Sequence, residues 1–306
     1  MYVSTCFPVY FTDMESFFSF LEKRVDDCSS LLCVGLDPHI SELNEPSPVS
    51  ALDFCLNLVK QTAPYAAAFK PNAAFFEVFG AEGWRALKEV VSAIHEESKR
   101  LGSKIPVILD AKRGDIASTA EAYAKSAFET LGVDCITISP YLGKDSIEPF
   151  IQNPEKGVFI LCKTSNSGSG DLQDLMVVGA DPRVRPNDGE NVKGDHIGSP
   201  LHIHVARLAQ QWNTKNNIGL VVGATHVDAM KRVRAAAPDV WFLAPGVGAQ
   251  GGELESALRA GLRQDGRGML IPISRGISRA ESPAKAAAEI RDQIVNIKMH
   301  FNREGH

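Results

Sequence analysis

At 306 residues, 44% of them hydrophobic and 23% charged, the chain has an ordinary globular composition and is long enough to bury a large core without staples. A formal net charge of −5, with no block of Lys or Arg, argues against a nucleic-acid or anionic-membrane surface. No apolar run approaches the roughly 18 residues that span a bilayer, and Met1 to Phe20 carries Asp13 and Glu15 in place of a basic start and an unbroken apolar stretch, so neither a membrane span nor a secretory leader is expected.

Taken in order, short apolar runs alternate with helical patterns. Met14 to Val25 predicts a helix, with Phe17, Phe18, Leu21 and Val25 at helical spacing. Leu31 to Asp37 predicts a first strand ending at an Asp-Pro turn, and Ser50 to Thr62 a helix. Tyr65 to Lys70 predicts a second strand, followed by a helix over Ala81 to Arg100 closed by Gly102. Ile105 to Leu109 reads as a third, buried strand, with a helix from Ser118 to Leu131 after it. Cys135 to Pro140, Val158 to Lys163, Ile218 to Gly223, Val240 to Pro245 and Gly268 to Ser274 supply strands four to eight. Helices over Lys144 to Ile151, Ala229 to Ala236, Glu253 to Ala260 and Pro283 to Val295 fill gaps between them.

Near-continuous apolar strands alternating with helices predict a parallel sheet covered by helices. Eight such units in roughly 300 residues fit a single closed (β/α)8 TIM barrel occupying residues 1–306. An open doubly wound sheet is the competitor, weakened because the first strand–helix turn lacks G-x-G-x-x-G. Between strands five and six lies a Gly-, Ser-, Asn-, Asp- and Pro-rich insertion, Thr164 to Gly198, longer than a plain connector needs. The six cysteines (Cys6, Cys28, Cys33, Cys55, Cys135 and Cys162) form no C-x-x-C pair. They read as reduced thiols in a cytoplasmic protein, with no metal site among them.

The chemistry concentrates at the predicted C-terminal strand ends, where barrels of this type carry their active sites. Asp110, Lys112 and Asp115 put two carboxylates around one ammonium within six residues at the mouth of strand three, a choice that a packed interior would not make. Asp37, Lys70 with Asn72, Ser139 and Lys163-Thr164-Ser165-Asn166 end other strands. Each has a plain alternative: Asp37 as a turn cap, Lys70 as a solvent-reaching cation, Asp110 with Lys112 as a structural ion pair. Strands seven and eight end in Pro245-Gly246-Val247-Gly248 with Gln250, and in Ser274-Arg275-Gly276. Glycine-rich backbone beside an arginine at these two ends fits a phosphate site. The pattern points to a phosphorylated small molecule whose reacting end meets Lys112.

These motifs together resemble the orotidine 5′-monophosphate decarboxylase family, in its branch with the longer inserted loop. The resemblance rests on Asp110-Ala111-Lys112-Arg113-Gly114-Asp115-Ile116, Phe69-Lys70-Pro71-Asn72, Lys163-Thr164-Ser165-Asn166, Ala244-Pro245-Gly246-Val247-Gly248 and Ser274-Arg275-Gly276, and runs from about Met14 to Lys298. It implies a cofactor-free enzyme of pyrimidine biosynthesis that converts orotidylate to UMP and CO2. Lys70, Asp110, Lys112 and Asp115 would form its charged array, and Lys112 would protonate the C6 carbanion. Asp37 and Asn72 would contact the ribose and nearby groups, Thr164 or Ser165 the pyrimidine, and Gln250 and Arg275 with Gly276 the phosphate. Asp115 and Thr119 would cross into a partner's site, which implies a homodimer. The competing readings are a metal-dependent barrel acting on a sugar phosphate, with D-x-K-x-x-D holding Mg2+, a Schiff-base aldolase, and a non-catalytic nucleotide-binding barrel.

Overall fold

The eight principal strands run parallel, in the spatial order of a cylinder cut open along one seam. The computed structural model describes residues 15–177, 198–248 and 253–304. The strands are β1 (Leu32–Leu36), β2 (Ala68–Pro71), β3 (Ile108–Arg113), β4 (Cys135–Ile138), β5 (Gly157–Lys163), β6 (Ile218–Val222), β7 (Trp241–Leu243) and β8 (Met269–Ile273). Except at β2 and β3, each pairs with its neighbour in sequence, and β8 returns to β1. The seam between β2 and β3 is closed by the single bridges Phe69–Val107 and Asn72–Asp110. The expected (β/α)8 barrel is therefore present, and the open-sheet alternative is not. Apart from the C-terminal half of β3, the strands are buried on both faces because helices cover the outside, which is why they read as largely apolar runs.

The helices are α1 (Phe17–Cys28), α2 (Pro48–Thr62), α3 (Gly80–Leu101), α4 (Ala117–Lys125), α5 (Glu148–Ile151), α6 (Leu201–Trp212), α7 (Val227–Ala236), α8 (Leu254–Gly261) and α9 (Pro283–Glu304). None among the described residues is long and apolar enough to cross a membrane. Caps set their limits: Ser16 accepts from the Ser19 amide at the start of α1, Ser47 does the same for α2, and Gly102 ends α3 in the left-handed region. Helix α1 closes the N-terminal end of the barrel. Phe17 donates its amide to Pro154, and Phe18 stacks on Trp241. A Cβ at Gly157 would lie 2.3 Å from the Phe17 ring, so glycine there makes room for the plug.

Three expectations change. The third strand does not stop at Leu109; it runs to Arg113, so Asp110 and Lys112 belong to the strand itself. Helix α1 starts at Phe17, not Met14, because Ser16 caps it. Helix α6 has no counterpart in the predicted elements: its buried face is His202, Ile203, Ala206 and Ala209, mostly small or polar, and Pro200 gives it no side-chain cap. The described part of the insertion after β5 packs back against the barrel. A short helical turn, Gly170–Gln173, leads to Met176–Val177, which pairs antiparallel with Ser199–Pro200 just before α6. Residues 178–197 of that insertion lie outside the described residues.

Candidate active site

The C-terminal ends of β1, β2 and β8, with the loop after β7, line a cleft of ≈ 950 Å³. Its walls include Asp37, Lys70, Asn72, Gly246, Arg275 and Gly276, which are six of the residues expected there. His39 and Phe75 meet edge to face at 4.3 Å and form an aromatic lip. Gly246 and Gly248 hold φ of +105° and +82°, a conformation that side chains disfavour, and this lets the loop after β7 turn its backbone into the cleft. Gln250 lies outside the described residues.

Lys70 points from the wall of this cleft into the charged array. It is only 7% exposed. Its Nζ lies 3.0 Å from Asp110 Oδ2, and Lys112 Nζ lies 2.6 Å from Asp110 Oδ1. One carboxylate thus sits between two ammonium groups. Burial works against the charge of Lys70, but Asp110 and Asp37 outweigh it and raise its pKa. Burial likewise opposes ionisation of Asp110, yet Lys70 and Lys112 hold its carboxyl well below the usual range. Asp37 adds a second carboxylate beside Lys70, and its Oδ1 is buried without a hydrogen-bond partner among the described residues, an acceptor ready for a ligand hydroxyl. Asn72 sits on the seam opposite Asp110, its Oδ1 taken by the Ala74 amide.

The geometry of Lys112 depends on a residue that sequence reasoning missed. Lys112 has φ +48°, in the left-handed region, and the β3–β4 register shifts between Leu109 and Arg113. Such a conformation costs about 1–3 kcal/mol for a non-glycine residue and persists only where its surroundings enforce it. Thr137, buried in β4, enforces it here. Its Oγ1 accepts from the amides of Ala111 (3.0 Å) and Lys112 (2.9 Å) and donates to Asp110 Oδ1 (3.0 Å). The only signal in the sequence is one hydroxyl inside the apolar run Cys135-Ile136-Thr137-Ile138.

At β5 the expected residues divide. Thr164 is committed: Gln173 accepts from its amide at 2.9 Å and donates to its hydroxyl at 2.8 Å, and that hydroxyl donates to Asn166 at 2.6 Å. Ser165 makes no side-chain hydrogen bond among the described residues. Lys163 is buried and binds Asp174 at 2.8 Å and Ser169 at 3.2 Å. Asp115 and Thr119 do not join the array. Asp115 folds back on the Ile116 amide at 2.8 Å, and Thr119 is exposed on the first turn of α4.

The family model of the orotidine 5′-phosphate decarboxylase / HUMPS family matches residues 30–184 and 187–290. An orotidine 5′-phosphate decarboxylase of Roseiflexus castenholzii is 46% identical over 291 residues, covering 94% of this chain and 97% of that protein. Among solved structures, the OMP decarboxylase of Leishmania donovani is 49% identical with a TM-score of 0.78, over 93% of this chain and 99% of that one. The UMP synthase of the same organism is 51% identical with a TM-score of 0.80, and this chain spans 57% of its length. The barrel, the array at the β2–β3 seam and these likenesses agree: the chain belongs to the orotidine 5′-phosphate decarboxylase / HUMPS family.

Proposed function

We propose that this protein decarboxylates orotidine 5′-monophosphate to UMP and CO2 without a cofactor, and that Lys112 protonates the C6 carbanion. The observation that carries the reading is the Lys70–Asp110–Lys112 array beside a cleft that reaches Arg275. Losing CO2 from the pyrimidine leaves negative charge with no electron sink, so stabilisation must come from fixed charge. Lys112 supplies a cation and a proton where that charge develops. Asp110 faces the departing carboxylate. At an effective dielectric near 20, unit charges about 4 Å apart interact by roughly 4 kcal/mol. That is well short of the roughly 8–23 kcal/mol that enzymes take off a barrier, so carbanion stabilisation has to carry much of the rest. Grip on the remote phosphate by Arg275, Gly276 and Gln250 supplies the binding energy that holds the substrate against Asp110.

Within this reading Asp37 and Asn72 meet the ribose, and Ser165, whose hydroxyl is uncommitted, meets the pyrimidine in preference to Thr164. The working unit is a homodimer in which Asp115 and Thr119 complete the partner's site. Both lie away from their own array, and nearby loops expose Ile116, Tyr141 (81%) and Leu142. A reducing, cytoplasmic compartment suits the five described cysteines, which are buried and free.

The family's name also admits a metal-dependent sugar-phosphate reading, and the array speaks against it. Asp110 Oδ1 already accepts from Lys112 and Thr137, and Oδ2 from Lys70, which leaves this carboxylate poorly placed to bind Mg2+. Following loss of orotidylate absorbance on adding the protein, with and without EDTA, separates the two. Turnover indifferent to EDTA is expected. Its absence overturns the proposal, and sensitivity to EDTA overturns the metal-free mechanism.

A further inference from the structure

We propose that Gln173 is a positioning residue: braced by the Lys163–Asp174 pair, it holds the turn after β5 so that Ser165 presents its hydroxyl to the base of the nucleotide. The inference deepens the reading above and rests on it. Three consecutive residues at the end of β5 are tied to the insertion or to α6. Cys162 Sγ lies 3.1 Å from the His202 carbonyl, Lys163 reaches Asp174 and Ser169, and Thr164 is gripped by both ends of the Gln173 amide. Gln173 is itself fixed, since its carbonyl lies 2.8 Å from His202 Nδ1. A carbonyl only accepts, so that nitrogen carries the proton. His202 Nδ1 also lies 3.3 Å from Asp174 Oδ1.

The other side of Ser165 is closed by β6. The Gly223 amide donates to the Lys163 carbonyl at 2.7 Å, and a Cβ on Gly223 would come within 3.0 Å of Ser165 N, Cα and Cβ. Ser165 is thus wedged between Gly223 and a Thr164 that Gln173 immobilises. Neither Ser165 nor these tying groups lines the described cleft, so the meeting of Ser165 with the base rests on the proposed function, and the tying groups bear on it through the position of Ser165. The β5–β6 register shifts between Leu161 and Lys163, so the ladder does not set this turn by itself and the side chains must.

The test titrates the protein with UMP and with ribose 5-phosphate, which lacks the base, and measures KM and kcat for orotidylate. Gln173→Ala should weaken UMP binding and raise KM about tenfold, the worth of one lost hydrogen bond, while ribose 5-phosphate affinity stays within about twofold. Gln173→Glu keeps the acceptor for the Thr164 amide and should recover most of the loss. Gly223→Ala pushes Ser165 from the opposite side and should show the same selective loss for UMP; it serves also if Gln173→Ala does not fold. Equal losses for both ligands, no loss for either, or a Glu variant as poor as the Ala variant would overturn the clamp. An unmodified protein that neither binds UMP nor consumes orotidylate overturns the underlying function and the clamp with it, whereas an active parent with indifferent variants overturns the clamp alone.

Discussion

Strand β3 carries a lysine one residue before its end and β5 ends in one, each at a break in register, and each lysine has an aspartate partner. They are built from different materials. Lys112 is held by its own strand and by Thr137 of the next one, so the barrel wall sets its position. Lys163 is held by Asp174 and Ser169, which come from the insertion. Lys112 is half-exposed at the mouth and shares Asp110 with Lys70; Lys163 is buried and its aspartate is half-exposed. Fixed charge on rigid strands suits a group that must meet a transition state, whereas an attached segment suits recognition of what the transition state belongs to.

The largest difference expected between the two ends is in turnover. Lys112→Ala should lower kcat by about 10⁴-fold or more while UMP still binds, because both the proton and the charge opposite the carbanion are lost. Comparable loss of UMP affinity would count against the assignment. Mixing this variant with Asp115→Ala should restore about a quarter of parental activity, since half of randomly exchanged dimers carry one intact site of two. Recovery indistinguishable from zero after subunit exchange would show that Asp115 serves its own barrel.

Stability comes next. Lys70→Met should cost about 3 kcal/mol by urea unfolding, at the lower end for breaking a buried pair because Lys112 and Thr137 still hold Asp110. The pH dependence has a definite sign. The Asp110 carboxyl is depressed in the fold, so its contribution is present above the unfolded value of about 3.9 and is lost as pH falls through the folded one. Lys70 is raised, so its contribution is complete below the unfolded value of about 10.4 and is lost only as pH rises beyond it. The gap between parent and variant should stay level from about pH 5 to 9 and narrow in acid; a gap that widens in acid contradicts the pairing.

A smaller effect is expected at Thr137. Thr137→Val should reduce kcat about 10–100-fold with little change in KM, as two amides and Asp110 lose a partner worth roughly 1–3 kcal/mol. Thr137→Ser should restore it. A kcat unmoved by valine would mean that Lys112 keeps its left-handed backbone unaided.

How much of this was legible follows from where each residue's partners lie. The strands of the barrel announce themselves because burial on both faces makes them apolar throughout, and Asp110, Lys112 and Arg275 stand out at their ends as charges with no local reason to be there. Thr137 is silent because its importance lies across a strand pair, in amides that the sequence does not display. Lys163 was visible as a strand-end lysine, but its partner Asp174 sits eleven residues on, inside a polar stretch with no periodicity to anchor it. Helix α6 was missed for a related reason: its buried face is mostly Ala and His, and packing rather than hydrophobic pattern decides it.

The aromatic plug under the barrel has a bearing on how the chain folds. Helix α1 is made before every strand of the barrel, yet its Phe18 stacks on Trp241 and its Glu22 meets Trp241 and Arg263, 219 and 241 positions away. Contacts of such sequence separation carry a large loop-closure cost and form late. During synthesis the helix carries an apolar Phe-rich face that β5 can receive in part, through Gly157 and Phe159, but that is covered fully only once β7 brings Trp241. Completion of its docking is therefore a late event, and fluorescence of Trp241, with Trp84 and Trp212 replaced by Phe, would report that step separately from collapse of the earlier strands.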